Sequence, residues 1–538
     1  PRGEGQGEGL LMATAAMSLP SQTRGIGLSA KWTVLAVTII GLFMSILDQT
    51  VVNVALPHII SVFNASVNSI QLVVTGYALA LAIVIPATGY LQDTFGGKRM
   101  WLVSLTAFTI GSMLCGLAWN TESLIVFRVL QGLGGGMLQP LAMAMIYRVV
   151  PVEERGFTMG ILGIPLLVAP AVGPTLGGWL VQYVDWRTIF MINVPVGVLG
   201  VLMAVILLEE LPTRPGLKLD VAGFITAAVA FSCSLVALSN GPTDGWTTPY
   251  IDILLVVSVI FFVAWVTVEM TVEDPLLDLR LFKDGIFTIG MAVTFVLTLA
   301  LFGATFLLPL FLQDVRGLGA FDTGLLLLPQ GVAAAFFMPV GGRLFDKLGA
   351  RPLLVIGLLL LAGSTLMFAQ LDITTPDQVV VLALVLRGIS LGFTFMPLST
   401  AMMNRVPLAK INRGSALTSA MRQLFASFGV AIVATVLSNR ETFHTALLSE
   451  RVTAASPVVQ RMMGAIGGMA AQHGWTAAQA QGFLTSALNG QVLQQAAVMA
   501  FDDGFLLLAV LSLVAIIPSL ALGRGRSAGA EPAMAMME

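Results

Sequence analysis

The sequence has 538 residues, of which 57% are hydrophobic and only 10% are charged, and its mean hydropathy is +0.90. Soluble domains are closer to half apolar and a quarter charged, so this composition excludes an ordinary soluble protein and predicts many membrane spans. The net charge of −2 gives no basic field for nucleic acid. The two cysteines do not indicate a disulfide framework, and the three histidines show no metal-ligand spacing.

Fourteen segments along the chain are long and apolar enough to cross a bilayer as helices, which takes about 20 residues each. Residues 1–30 precede them and are predicted to be a disordered leader, with Met12 and Met17 as alternative true starts, and residues 527–538 are predicted to be a disordered tail. The predicted spans are 33–56, 69–91, 100–119, 123–147, 157–181, 187–208, 219–239, 250–269, 286–312, 322–344, 351–369, 378–402, 414–437 and 504–522.

The distribution of Lys and Arg sets the predicted orientation. With both termini in the cytoplasm, nineteen of the 27 basic residues fall in cytoplasmic segments and five in outer segments. The remaining three, Arg128, Arg387 and Arg422, lie inside predicted spans. The long segment 439–503 becomes an outer loop with helical, amphipathic parts, which either covers the outer mouth or is a tolerated surface insertion.

Two stretches with the same spacing indicate an internal repeat. "GYLQDTFGGKR" at 89–99 and "GRLFDKLGARP" at 342–352 share four residue identities at one offset of 253, and each follows the second span of a six-span block. The predicted domains are therefore an N-terminal bundle (31–210), a two-helix insert with its linkers (211–285) and a C-terminal bundle (286–526). Repeats of this kind place a binding cavity between the halves near the membrane midplane.

Four motifs, in order and at the appropriate spans, carry a family resemblance. They are "LDQTVVNVALP" (47–57), "GYLQDTFGGKR" (89–99), "RVLQGLGGG" (128–136) and "GPTLGG" (173–178). With them the chain resembles the major facilitator superfamily, in particular its fourteen-span drug:proton antiporter branch. This resemblance implies an all-α membrane fold of two six-helix bundles with two extra central helices. Gly97 stands where the superfamily usually has a basic residue, which implies a weaker charge network in that loop.

Asp48 and Arg128 are the predicted proton-coupling residues. Asp48 is the only carboxylate well inside a predicted span, where a charge costs about 2.5–3.5 kcal/mol on insertion scales. It must therefore face a cavity, pair with a cation or carry a proton; the alternative is a structural Asp that caps a break in the first helix. Arg128 keeps its charge and needs an acceptor, so Asp48 is a candidate partner. The resemblance implies a coupling role for Arg128, and the alternative is a purely structural link.

The fifth span carries the segment that the resemblance associates with antiporters. Prolines there invite kinks, and small residues at 169, 173 and 177 form a stripe that lets another helix approach closely. A tight contact at this stripe would seal the outer side against proton leak, whereas the alternative is ordinary helix packing. The residues assigned to this role are Pro170, Gly173, Pro174, Gly177 and Gly178.

The repeated loops are predicted to form a conformational latch at the cytoplasmic ends of the second and third spans of each half. Charges there would pair differently in two access states. The alternative is a solvated turn that follows the positive-inside rule. The latch residues are Gly89, Asp93, Gly96, Lys98, Arg99, Asp346 and Arg351.

The substrate-cavity candidates are Asn53, Gln131, Gln139 and Met396, and Arg387 and Arg422 have no assigned role. The predicted function is proton-coupled export of hydrophobic or amphipathic compounds, such as drugs, by alternating access. The alternative is a lipid precursor, siderophore or other metabolite as cargo. No Walker motif and no nucleophile–base pair is present, so neither a nucleotide-driven pump nor an enzyme is predicted.

The expected partners and location follow from the same pattern. The protein should bind small substrates and lipid, bind no nucleic acid and need no cofactor besides the coupling proton. We expect a multi-pass monomer in the inner or plasma membrane.

Overall fold

The computed structural model describes residues 30–214, 216–452 and 456–522, and within these ranges it contains helices and no strand. The predicted tail lies outside the described residues, as does the predicted leader apart from Ala30. Fourteen helices in the described part of the chain are long and apolar enough to cross a membrane, as predicted, and we number them α1 to α14. They are α1 Ala30–Phe63, α2 Ser69–Phe95, α3 Gly97–Gly116, α4 Thr121–Val149, α5 Val152–Tyr183, α6 Thr188–Leu207, α7 Val221–Asp244, α8 Pro249–Thr271, α9 Gly285–Val315, α10 Ala320–Leu348, α11 Ala350–Phe368, α12 Asp377–Met403, α13 Leu408–Glu450 and α14 Ala477–Ser519.

Polar side chains fix where several of these helices begin. Asn120 and Ser123 form a reciprocal capping box at the start of α4, and Asp220 accepts a hydrogen bond from the backbone N–H of Gly223 at the start of α7. Thr476 and Gln479 form a second capping box at α14. These groups satisfy backbone donors that a helix leaves unpaired in its first turn, which matters most near lipid.

The helices pack as two bundles. In the first half α1 lies against α4, α5 and α6, while α4 also packs on α2 and α3. In the second half α9 packs on α12, α13 and α14, and α12 packs on α10 and α11. The main contacts between the halves are α5 with α10, α5 with α12, and α13 with both α2 and α4. Helices α2 and α10 each contact a helix of the other half, α13 and α5 respectively.

The inserted pair covers one of the two seams between the halves. Helix α7 contacts both α2 and α13, and α8 packs mainly on α7. At the end of the bundle opposite the start of α1, which we call the outer end, Gln71 of α2 donates to Asn240 of α7, and Trp246 donates from Nε1 to Thr435 of α13 at 2.9 Å. The insert thus bridges the two bundles at the α2–α13 seam, and much of α8 remains exposed.

Segment 439–503, predicted as an outer loop, is mostly helical. Helices α13 and α14 extend into it from both sides, and a further helix, Pro457–His473, lies between them against α14. Ala and Gln favour helix even where the sequence is too polar to be recognised as a span. Because α14 begins early, Asp502 and Asp503 lie inside a membrane-length helix. There Asp503 accepts from Arg440 at 2.5 Å and contacts His444 at 2.8 Å, which joins α14 to α13.

Candidate functional site

A buried ion pair joins α1 and α4 in the middle of the first half. Arg128 donates from Nη1 to Asp48 Oδ2 at 2.6 Å, and each residue is only 1% exposed. Asp48 sits mid-helix in α1 because the flanking apolar residues carry that segment across the bundle. A charged hydrogen bond this short, away from water, is among the strongest side-chain contacts available to a protein.

Two amide side chains complete the hydrogen bonding of Asp48. Its Oδ1 accepts from Gln131 Nε2 at 2.9 Å and from Asn193 Nδ2 at 3.0 Å, and Asn193 also donates to Ser112 Oγ at 3.0 Å. Asn193 and Ser112 are buried and bring α6 and α3 into the network. The charged carboxylate therefore accepts three hydrogen bonds from side chains of α4 and α6, and Ser112 of α3 supports it through Asn193.

The guanidinium of Arg128 is also enclosed. Its Nη1 donates to Gln131 Oε1 at 2.8 Å and its Nε donates to the Val73 carbonyl at 3.4 Å. The Tyr77 ring lies 4.1 Å from the guanidinium carbon, close enough for a cation–π contact. Asp48 is the carboxylate that the structure pairs with this cation, so protonating Asp48 would leave a buried positive charge without its counter-charge.

The second half keeps the arginine and lacks the acid. Arg387 of α12 donates from Nη2 to the Leu301 carbonyl of α9 at 2.8 Å. Leu301 lies 253 residues after Asp48, the same offset that relates the two repeated loops. A leucine thus stands at the position that corresponds to Asp48, and its backbone oxygen accepts the bond. Within the described residues, Arg387 therefore bonds to a backbone oxygen, whereas Arg128 bonds to a carboxylate.

Helix α5 packs against other helices through two faces. The predicted small-residue stripe lies on the face that contacts α1 of the same half. A Cβ at Gly173 would lie 2.7 Å from Thr50 Cβ, and one at Gly177 would lie 3.1 Å from Val51 Cγ1, both in α1. The other face meets α10 of the second half, where Gly331 fits against Ala171. The stripe therefore sets the α1–α5 distance, and the seam between the halves is built by different residues.

The remaining predicted residues of α5 have distinct positions. Gly178 is close to the seam, since a Cβ there would meet Phe321 of α10 at 3.8 Å. Pro170 and Pro174 are half-buried, and the helix continues through both. Neighbouring helices tolerate such prolines in a membrane span because they satisfy the freed backbone groups.

Asp93 joins the halves at the end of the bundle where α1 begins, which we call the inner end. It accepts from Asn412 Nδ2 of α13 at 2.6 Å and from Arg148 Nη2 of α4 at 3.0 Å, and it is fully buried. Gly89 allows this approach, because a Cβ there would lie 3.0 Å from the Arg413 Cα. Two predicted latch residues thus lie at the contact between α2 and α13.

The second repeated loop makes the matching contact. Asp346 Oδ1 accepts from the backbone N–H of Gly156 at 2.9 Å and Oδ2 accepts from that of Phe157 at 3.0 Å. A carboxylate at these amides caps the first turn of α5 and favours its positive end. Each half therefore places an aspartate from its second helix against the start of a helix of the other half.

The basic latch residues do not reach the seam. The backbone N–H groups of Lys98 and Arg99 donate to the Glu210 carboxylate at 3.0 and 3.1 Å, within the first half. Gly96 has a φ of +95° and closes the turn between α2 and α3. Arg351 is exposed at the start of α11.

The four predicted cavity residues are not gathered in one place. Gln131 belongs to the Asp48 network, and Asn53 is exposed on the outer half of α1. Gln139 is half-buried, whereas Met396 is buried beside Gly163 of α5 and Met338 of α10. An open cleft of ≈ 410 Å³ lies between the outer ends of α5 and α10, and none of the four lines it.

Sequence reasoning missed several partners. Asn193 is a lone amide in an apolar span, a signal that could have marked it, but nothing in the sequence links Asn412 to Asp93. Asp48 is also not the only buried carboxylate in a span. Glu269 of α8 is fully buried and accepts from Trp265 Nε1 and from the Leu277 backbone N–H, both at 3.2 Å.

Comparison with known proteins agrees with this architecture. Residues 38–430 match the family model described as Major Facilitator Superfamily. The chain is 38% identical to the uncharacterized MFS-type transporter YhcA of Bacillus subtilis, over 79% of this chain and 80% of that protein. It is 33% identical to the multidrug export protein EmrB of Escherichia coli K12, over 84% of this chain and 88% of that protein.

A solved structure shows the same fold at low sequence identity. The human organic anion transporter MFSD10 superposes with a TM-score of 0.59 and 14% identity, covering 91% of this chain and 99% of that one. At this identity the likeness concerns the fold alone.

Proposed function

The chain belongs to the Major Facilitator Superfamily, so it is a membrane transporter rather than an enzyme, and we propose that it exports small hydrophobic or amphipathic compounds in exchange for protons. The proposal places it in the plasma membrane, with both termini in the cytoplasm. The similarity to a multidrug export protein over most of both chains supports the export of such compounds. The excess of Lys and Arg in the predicted cytoplasmic segments supports the orientation.

The observation that carries proton coupling is the buried pair of Asp48 and Arg128. A proton on Asp48 would remove the counter-charge of Arg128, and breaking a buried pair in this way costs about 3–5 kcal/mol. Conformations of one protein commonly differ by only a few kcal/mol. Protonation would therefore favour a conformation in which Arg128 reaches water, and this links proton binding to a rearrangement of α1 against α4.

The contacts between the two halves are the contacts that must change during transport. In this structure the inner end is closed by the Asp93–Asn412 contact on one seam and the Asp346–Gly156 contact on the other. Both are hydrogen bonds at helix ends, which separate without unfolding either bundle. We infer that rocking of the halves breaks both contacts, opens the inner end and admits substrate, as alternating access requires.

Transport by variants in inside-out vesicles with an acidic lumen tests the coupling, with a panel of amphipathic dyes of both charge signs. We expect the wild-type protein to accumulate at least one dye against its gradient, and Asp48→Asn to lose this uphill transport. Glu269→Gln is the matched control, because it neutralises another fully buried carboxylate that lies outside the ion pair. Uphill transport by Asp48→Asn would refute the proton-carrier role.

A further inference from the structure

Arg422 of α13 is a buried cation that forms no ion pair within residues 30–214, 216–452 and 456–522. It is only 7% exposed, and its Nε and Nη1 have no hydrogen-bond partner there. Its guanidinium carbon lies 4.8 Å from the centre of the Phe395 ring, a contact that offsets only part of the charge. An arginine keeps its proton under these conditions, so burying it unpaired carries a large desolvation cost.

The other two arginines inside the spans are accommodated differently. Arg128 pairs with Asp48, and Arg387 donates to the Leu301 carbonyl within the second half. Arg422 instead lies at the contact between the halves, within electrostatic range of Tyr147 from α4. Separation of the two halves would therefore expose the Arg422 side chain.

Four buried hydroxyl groups without a hydrogen-bond partner in the described part of the chain extend from Arg422 toward Tyr147 and its neighbours on α12. The Tyr147 hydroxyl faces Ser399 and Thr400 of α12 but makes no hydrogen bond of normal geometry with either, and the hydroxyls of all three are buried. Ser419, one helical turn before Arg422, has a buried, unpaired hydroxyl as well. Buried polar groups are normally satisfied, so an unpaired cation together with unpaired hydroxyls that are linked to it through Tyr147 and Ser419 indicates a ligand site.

The cluster lies toward the inner end. Next to Tyr147, Arg155 of α5 donates to the Tyr147 carbonyl at 2.8 Å and to Asn404, at the end of α12, at 3.0 Å. This second bond joins the two halves beside the cluster. Opening the inner end would separate Tyr147 from Arg422 and expose both to the side from which an exporter takes up its substrate.

We propose that Arg422, with the hydroxyls of Tyr147, Ser399, Thr400 and Ser419, binds the anionic group of a substrate, a carboxylate or sulfonate on an apolar body. This inference rests on the proposed export function and names a class of cargo for it. The guanidinium supplies charge and directed donors, and the hydroxyls donate to the remaining anion oxygens. Phe395 provides an apolar wall for the body of the ligand.

Binding of two dyes that share one aromatic body tests the site. The dyes are 1-anilinonaphthalene-8-sulfonate, which is anionic, and N-phenyl-1-naphthylamine, which lacks the sulfonate. Both are titrated onto the protein in lipid nanodiscs without any gradient, and the signal of empty nanodiscs is subtracted. We expect the wild type to bind the sulfonate at least about tenfold more tightly than the neutral dye, the size typical of hydrogen bonds to a charged group.

The variants assign this preference to the site. Arg422→Gln should abolish the preference, while Arg422→Lys should keep part of it because the charge remains. Arg387→Gln is the matched control, a buried arginine on α12 that bonds within its own half, and it should keep the wild-type ratio. The proposal fails if the wild type shows no preference, if Arg422→Gln retains it, or if Arg387→Gln loses it equally.

A second variant tests the same site in case Arg422→Gln does not fold. Tyr147→Phe removes one hydroxyl and no charge, and it should weaken sulfonate binding several-fold with binding of the neutral dye unchanged; unchanged sulfonate binding would overturn the proposal. The result is separable from proton coupling. If the wild type shows no anion preference but still drives uphill export, only the anion site is refuted. If the preference depends on Arg422 but no uphill export occurs, only the proton coupling is refuted.

Discussion

Neutralising Asp48 should destabilise the present conformation far more than neutralising both members of its ion pair. In Asp48→Asn, Arg128 keeps Gln131, the Val73 carbonyl and the Tyr77 ring but loses its counter-charge at 2.6 Å. The expected cost is about 3–5 kcal/mol. Since 1.4 kcal/mol is about a factor of ten, this conformation should lose roughly 10²-fold to 4 × 10³-fold in population relative to those that hydrate Arg128.

The double variant D48N/R128Q isolates the pair. Two amides in the same place can hydrogen-bond to each other and leave no unpaired charge, so its stability should return to within about 1–2 kcal/mol of the wild type. The coupling between the two sites should therefore be several kcal/mol, well beyond the values found for independent residues.

Reversible unfolding in mixed micelles and hydrogen exchange together measure this effect. Asp48→Asn should unfold at lower denaturant and exchange faster in peptides from α1 and α4, and the double variant should largely recover on both readouts. It should not recover uphill transport, because no ionisable group remains at the site. If the two single losses simply add in the double variant, the buried pair is not the coupled unit that we infer.

Two further contacts lead to direct predictions. Gly173→Ala should cost about 1–3 kcal/mol, measured as a lower melting temperature, because its Cβ would crowd Thr50, whereas Gly178→Ala should be nearly neutral; equal losses would contradict this account of the α1–α5 contact. Asp93→Ala should speed hydrogen exchange at the start of α13, because Asn412 loses its acceptor, and unchanged exchange there would remove Asp93 from the inner seam.

The membrane architecture could be predicted from the sequence, because span length, hydropathy and the placement of Lys and Arg are local properties. The bilayer forces each long apolar segment into a helix, so the fourteen spans needed no tertiary information. Asp48 and Arg128 were recognisable for the same reason, since a charge in an apolar segment is costly wherever its partner lies. The extended α13 and α14 were harder to place, because their outer turns are too polar to be recognised as spans.

Only the tertiary structure decided which side chains meet. Which neighbour a helix face touches depends on the rotation of each helix about its axis and on its register, and both are set by packing over the whole bundle. The sequence therefore could not assign Asn193 to Asp48, Asn412 to Asp93, or the stripe of α5 to α1. For the same reason the sequence could not show that Arg128 has a carboxylate partner. It also could not show that Arg422 lies between the halves and has no carboxylate partner in the described part of the chain.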